Sequence, residues 1–134
     1  PTESTDLGRA GDNREIVRSF VNDVIINGTV GKLEQYVDEY YTEHNPRIGD
    51  GLSTLHAVLS DPASNQGNTR KYDRMHRILA EGNFVLTVSE GSVNGIHSSF
   101  FDLFRVAHGK IAEHWDTTEA VPPRSEWKND NGKF

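Results

Sequence analysis

The run Gly109-Lys110-Ile111-Ala112-Glu113-His114-Trp115-Asp116 concentrates the groups in this chain that could do chemistry. It reads as a tight turn leading into a strand. Alternation along that strand sends His114 and Asp116 to one face and Glu113 and Trp115 to the other. A histidine and a carboxylate two residues apart on a rigid strand can share one proton-transfer site. Far upstream, Tyr41-Thr42-Glu43-His44-Asn45-Pro46 sets a second histidine at a turn. Together the two pieces suggest a polar cluster in a small α+β pocket.

The chemistry in view is proton transfer between a base and a bound molecule. The base must come within hydrogen-bond reach of the atom that gives up the proton, about 2.6–3.2 Å. An aspartate titrating near 3.9 is weak at neutral pH, and burial among apolar groups raises it. Asp102 lies between Phe100 and Phe104 on one strand face. It is either a second acid in the pocket or the partner of Arg74 or Arg77. His76 shares a face with Tyr72, Arg74 and Ile78 and either lines the pocket or is a satisfied half-buried histidine. Asn45, His76, Asp102, Phe100 and Phe104 are the expected substrate contacts. The alternative for His44 is a local bond that ties down its turn. Glu90 is expected in solvent and His56, His97 and His108 on the surface. Trp115 is expected to pack on a helix or a partner subunit.

Rival chemistries have less support. His44, His76, His114 and Asp116 could form a metal set, but no His-x-x-x-His or His-x-His spacing accompanies them, so neither metal nor cofactor is expected. No Gly-x-Ser-x-Gly nucleophile turn is present. The chain has no cysteine, which removes disulfides, thiolate metal sites and a thiol nucleophile.

The elements that must position these groups follow from periodicity. Residues 1–11 are polar and aperiodic and read as a flexible tail. Asp12 looks like an N-cap, with Glu15 three residues on. Ile16, Val17, Phe20, Val21, Val24 and Ile25 form one helical stripe, ended by Asn27-Gly28. A shorter helix carries Leu33, Tyr36 and Val37, and Tyr40-Tyr41 opens an extended piece. Asp50 can cap a third helix carrying Leu52, Leu55 and Leu59. After a polar loop over 61–70 the period changes to two. Strands are expected over 72–80, 84–90, 96–106 and 111–118, with turns at Glu81-Gly82-Asn83, within 91–95 and at His108-Gly109-Lys110. Three helices followed by an antiparallel meander is an α+β pattern. Residues 12–120 make one domain and 121–134 an irregular tail, in which Trp127 and Phe134 either dock or fray.

Composition narrows the partners. At 134 residues the chain can bury roughly two-thirds of its unfolded surface. A net charge of −6 argues against a nucleic-acid partner. The basic residues Arg70, Lys71, Arg74 and Arg77 read as an exposed strand face. No apolar run approaches the roughly 18 residues of a membrane span and no signal-peptide pattern opens the chain, so the expectation is a cytoplasmic protein without a membrane partner. Pro1 fits either a removed initiator Met or a start inside a longer chain. Phe100-Phe101-Asp102-Leu103-Phe104-Arg105 is apolar on both faces, which calls for cover on both sides: helices on one, and a homodimer partner through the sheet on the other.

These residues resemble a family. The helix over 15–25, Tyr40 to Pro46 and Asp50-Gly51 match its N-terminal half, while 76–83, 101–105 and 109–116 match its sheet. The chain resembles SnoaL-like polyketide cyclases, within the ketosteroid-isomerase-like superfamily, over residues 12 to about 122. The resemblance implies a cone-shaped α+β barrel: three N-terminal helices on a strongly curved antiparallel sheet that encloses a pocket, dimerised through the sheet. It also implies a metal-free lyase or isomerase acting on a small carbonyl compound by removal of a proton α to the carbonyl, the first step shared by aldol ring closure and enol isomerisation, with Asp116 as base, His114 as its partner and His44 polarising the carbonyl. A non-catalytic small-molecule-binding dimer and a water-activating hydrolase are the alternatives.

Overall fold

Val17, Phe20, Val21 and Val24 recur at helical spacing, and each is at most 4% exposed. They form the stripe on which the sheet closes. In the computed structural model, which describes residues 1–61 and 69–134, helix α1 spans Ala10–Phe20. It runs on as a wider π-type segment, Val21–Ile26, and stops at Asn27-Gly28 as the sequence predicts. Its start differs. The helix begins two residues before Asp12, and Asp12 and Glu15 pair with Arg9 and Arg18 on the surface instead of capping. The segment before it docks on the sheet: the Thr5 N–H donates to Asn83 Oδ1 and the Asn83 N–H to the Thr5 carbonyl, both at 2.9 Å. A partner 78 positions away leaves no local trace in a polar tail.

Helix α2 is a single turn, Leu33–Tyr36. The β-branched Val37 opens strand β1, Val37–Glu43, and does not finish the helix. Helix α3 spans Leu52–Ser60. Asp50 does not cap it; its Oδ1 accepts the Glu43 N–H at 2.8 Å and so secures the end of β1. Strands β2 (Arg70–Glu81), β3 (Phe84–Val93), β4 (Ile96–Ala107) and β5 (Lys110–Ala120) follow. The last turn has positive φ at His108 and Gly109, 52° and 77°, the two-residue hairpin geometry that twists with its strands.

The sheet order is β1-β5-β4-β3-β2. The four later strands form the antiparallel meander. β1 joins β5 in parallel, so the sheet is mixed where an antiparallel one was expected. Register then does the functional work. On β4 and β5, Asp102 stands opposite Asp116 and Phe104 opposite His114. On β1, Glu43 stands opposite His114. The inner face carries Val85, Phe100, Phe104, Val106 and Ile111, all buried. Among the described residues no helix is long and apolar enough to cross a membrane.

Gly91 is the closest backbone approach in the sheet. A Cβ there would lie 1.8 Å from the Lys71 carbonyl oxygen and 3.0 Å from Phe100, beside a register shift in β2. Gly91→Ala must therefore move backbone, with an expected loss of about 2 kcal/mol read as a lower urea midpoint. Gly31→Ala, with nothing within 4 Å of the new methyl, is the control expected to hold the midpoint. An unchanged midpoint for Gly91→Ala would contradict the close approach.

Candidate active site

A cavity of about 140 Å³ lies between the inner face of the sheet and the helices. Phe20, Ile25, Leu55, Leu59, Phe104 and Ile111 supply apolar wall, and Glu43, Arg70, Tyr72, Asp102, His114 and Asp116 form its polar part. Period-two alternation explains the gathering. Tyr41 and Glu43 point inward from β1, Arg70 and Tyr72 from β2, Asp102 and Phe104 from β4, and His114 and Asp116 from β5.

His114 is the hub. Its Nδ1 lies 2.8 and 2.9 Å from the two Glu43 carboxylate oxygens, and its Nε2 lies 2.8 Å from Asp102 Oδ1. Burial alone would lower its pKa, but the two carboxylates outweigh it and push the imidazole up to about 10. At neutral pH it is an imidazolium with both N–H groups donated to carboxylates. It therefore supports Glu43 and Asp102, not Asp116 as expected, and is neither a free base nor a free donor. Burial pushes the Glu43 carboxyl up, yet the His114 hydrogen bond and charge, with the Asn45 amide and the Tyr41 hydroxyl, hold it below the ordinary value. Tyr72 donates to Asp102 Oδ2 at 2.8 Å, and burial, then Asp102, raises its pKa well above the phenol range.

Asp116 is held differently. Its Oδ2 accepts from Asn45 Nδ2 and from Arg70 Nη1, both at 3.1 Å. Its Oδ1 has no partner among the described residues, and Asp116 lines the cavity. Its side chain is 9% exposed.

The other expected site residues divide. Phe104 lines the cavity. Phe100 is fully buried beneath Tyr72, ring centroids 4.0 Å apart, and so supports the wall from behind. Asn45 reaches the site through Asp116. Asp102 pairs with His114 and Tyr72, not with Arg74 or Arg77. His44 is displaced from its expected place. It stacks on Trp115 at 4.7 Å with an interplanar angle of 1°, and its Nε2 lies 2.6 Å from Glu113 Oε2. Glu113 and Trp115 occupy the outer face of β5, so His44 stands across the sheet from His114. His76 also lies outside the cavity, 2.8 Å from Glu90 and stacked on Phe134. Glu90, expected in solvent, bridges His76 and His97, whose hydrogen bonds hold its carboxyl below the ordinary value.

Glu43, Arg70, Tyr41 and Tyr72 were not anticipated. The signal for Glu43 was present, since it shares the inward face of the expected strand with Tyr41. Arg70 and Tyr72 alternate in the same way, but the basic run around them looked like a solvated face.

Donor atoms of Asp102, His114 and Asp116 lie within 4.8 Å of one another, the grouping among the described residues compact enough for a metal ion. Both His114 nitrogens already donate to carboxylates and Arg70 already neutralises Asp116. A metal would have to displace a proton and an arginine, so the donor set fits internal ion pairs better than a cation.

No protein-family model matches the chain, and no curated protein matches it. Solved structures do. A candidate ketosteroid isomerase from Kribbella flavida DSM 17836 superposes with a TM-score of 0.73 at 11% identity, covering 93% of this chain and 94% of that one. A SnoaL-like polyketide cyclase from Agrobacterium tumefaciens gives 0.63 at 11% identity over 80% and 91%. An LEH-like epoxide hydrolase from M. tuberculosis gives 0.60 at 20% identity over 82% and 84%. At these identities the shared property is the fold.

The His114 clamp makes stability depend on pH with a definite sign. A histidine raised from 6.5 to about 10 contributes fully below pH 6.5, and that contribution is lost as pH rises through 10. Glu43, held low, contributes above its ordinary value and loses that contribution as pH falls. Urea midpoints should therefore fall between pH 6.5 and 10, and His114→Gln should flatten that slope. A wild-type midpoint constant across the window would rule out the charged clamp.

Proposed function

Because the chain has the α+β cone fold of ketosteroid-isomerase-like and SnoaL-like proteins, we propose that it is a proton-transfer enzyme of the isomerase or aldol-cyclase type, acting on a small carbonyl compound with its own side chains. The observation that carries the reading is Asp116: one carboxylate oxygen anchored by Asn45 and Arg70, the other unpaired among the described residues, on the wall of a largely apolar cavity. The free oxygen takes the proton α to the carbonyl. The C–H electron pair becomes the C=C bond, the carbonyl π pair moves onto oxygen, and the Arg70 guanidinium donates to the enolate oxygen. Asp116 returns the proton at another carbon, or the enolate carbon attacks a second carbonyl within the same molecule. A positioned base contributes about 10² to 10⁴ in rate and an oxyanion donor about 10² to 10³. Arg70 here takes the part that the sequence assigned to His44.

A second reading uses the same oxygen on water, which then opens an epoxide; the structural likeness to an LEH-like epoxide hydrolase favours it. A third makes the pocket a binding site without turnover. Solvent-deuterium exchange into small cyclic ketones, followed by ¹H NMR, separates them. Asp116→Asn should reduce exchange at least about 100-fold and His44→Asn should change it less than twofold. Diol formation from small epoxides without ketone exchange would select the hydrolase, and ligand binding with neither reaction would select the binding protein.

The outer face supports a further part of this reading, a homodimer through the sheet. Phe101 there is 38% exposed, and Phe84, Leu86, Leu103 and Trp115 around it are half-buried, an apolar surface that a second copy would cover. Light scattering should give twice the chain mass, and Phe101→Glu should return it to one. A wild-type monomer at 100 μM would reject the dimer.

A further inference from the structure

The charges and dimensions of the cavity restrict what can occupy it, an argument that rests on the proton-transfer reading for the orientation of the ligand. Three carboxylates, Glu43, Asp102 and Asp116, face it or stand behind it, against two cations, His114 and Arg70. The polar part therefore carries one net negative charge. His114 is saturated by Glu43 and Asp102 and has nothing left for a ligand. Arg70 is not saturated: Nη1 binds Asp116, and among the described residues nothing accepts from the rest of the guanidinium. Arg70 lines the cavity, and a ligand oxygen there can accept an N–H that is otherwise unanswered.

Each ligand charge state can be weighed against this arrangement. A carboxylate would satisfy Arg70 but set a second anion against the unpaired Asp116 oxygen, in surroundings already negative. An alkylammonium would satisfy Asp116 but leave the Arg70 donor unanswered and add a cation beside it. A neutral molecule with a carbonyl or ether oxygen offers an acceptor to Arg70 and a C–H, or an adjacent water, to Asp116. Size sets the other limit. The cavity of about 140 Å³ is close to the roughly 150 Å³ apolar cavity that accommodates benzene, so one six-membered ring fills it. Phe20, Ile25, Leu55 and Leu59 provide dry wall for that ring.

We propose that the pocket selects uncharged molecules of single-ring size bearing an oxygen acceptor, with the Arg70 guanidinium as the group that recognises the oxygen. The probes are 2-cyclohexenone, cyclohexanecarboxylate, cyclohexylamine and the two-ring ketone 2-decalone, titrated into the ¹⁵N-labelled chain and fitted to dissociation constants. Cyclohexenone should bind at least tenfold tighter than each of the other three. Arg70→Lys keeps the positive charge but removes the guanidinium N–H groups, and should weaken cyclohexenone at least fivefold with the amide spectrum otherwise preserved. Carboxylate or amine binding as tight as the ketone would overturn the charge selection, and equal binding of decalone would overturn the size limit. Arg70→Lys binding cyclohexenone as well as wild type would overturn the recognition role. These outcomes are separate from the fate of the chemistry. Selective cyclohexenone binding without deuterium exchange sustains the selectivity and removes the enzyme, while exchange on charged or two-ring ketones does the reverse.

Discussion

The imidazolium of His114, held between Glu43 and Asp102, is the interaction on which the rest of the site depends. The three members of this clamp come from three adjacent strands: Glu43 from β1, His114 from β5 and Asp102 from β4. Burying carboxylates is expensive unless each is paired and its remaining lone pairs are satisfied. Here they are. Glu43 also accepts from the Tyr41 hydroxyl and the Asn45 amide, and Asp102 accepts from Tyr72. A network this complete fixes side-chain directions more firmly than any one of its bonds could. It also gives the parallel edge strand β1 a reason to stay in register, since a one-residue slip would turn Glu43 outward.

Much of the architecture was legible because it is local. The helical stripe of α1, the change to period two after residue 70 and the turns at Glu81-Gly82-Asn83 and His108-Gly109 depend on neighbours within a few positions. Inward placement of Asp102, His114 and Asp116 followed from alternation alone. What alternation cannot supply is which strand lies beside which. The parallel pairing of β1 with β5 joins residues about 70 positions apart, and it decides that Glu43 meets His114. The misplacement of His44 has a narrower cause. Tyr41 and Glu43 share one face of β1, so the next residue belongs to the other; reading the segment as a turn hid that parity. Arg70 was hidden by its company, because Lys71, Asp73 and Arg74 beside it are exposed.

Histidines outside the cavity show how residue type misleads. His44 joins Glu113, Arg105 and Trp115 on the outer face. His76 and His97 share Glu90 beneath the Phe134 ring. Both groups combine a carboxylate, a base and an aromatic, the same ingredients as the pocket. They differ in surroundings. His44 and His97 keep much of their surface in water, where an ion pair is screened and weak. Water competes least where polar groups are buried among apolar side chains, and His114, 14% exposed on the wall of the cavity, is far better shielded than His44 or His97.

Within the pocket the same logic separates the three carboxylates by role. Glu43 has both oxygens engaged by His114, and Asp102 has one oxygen on His114 and the other on Tyr72. Neither can accept a proton from a ligand without first breaking a buried bond. Asp116 has two donors on a single oxygen and none on the other. The donors orient the carboxylate, and the bare oxygen has no bond to give up before reacting. In the proposed reaction the Arg70 guanidinium that anchors Asp116 also meets the negative charge that the proton leaves behind. One group that both orients the base and answers the charge of its product lets proton transfer and charge development occur within one small volume.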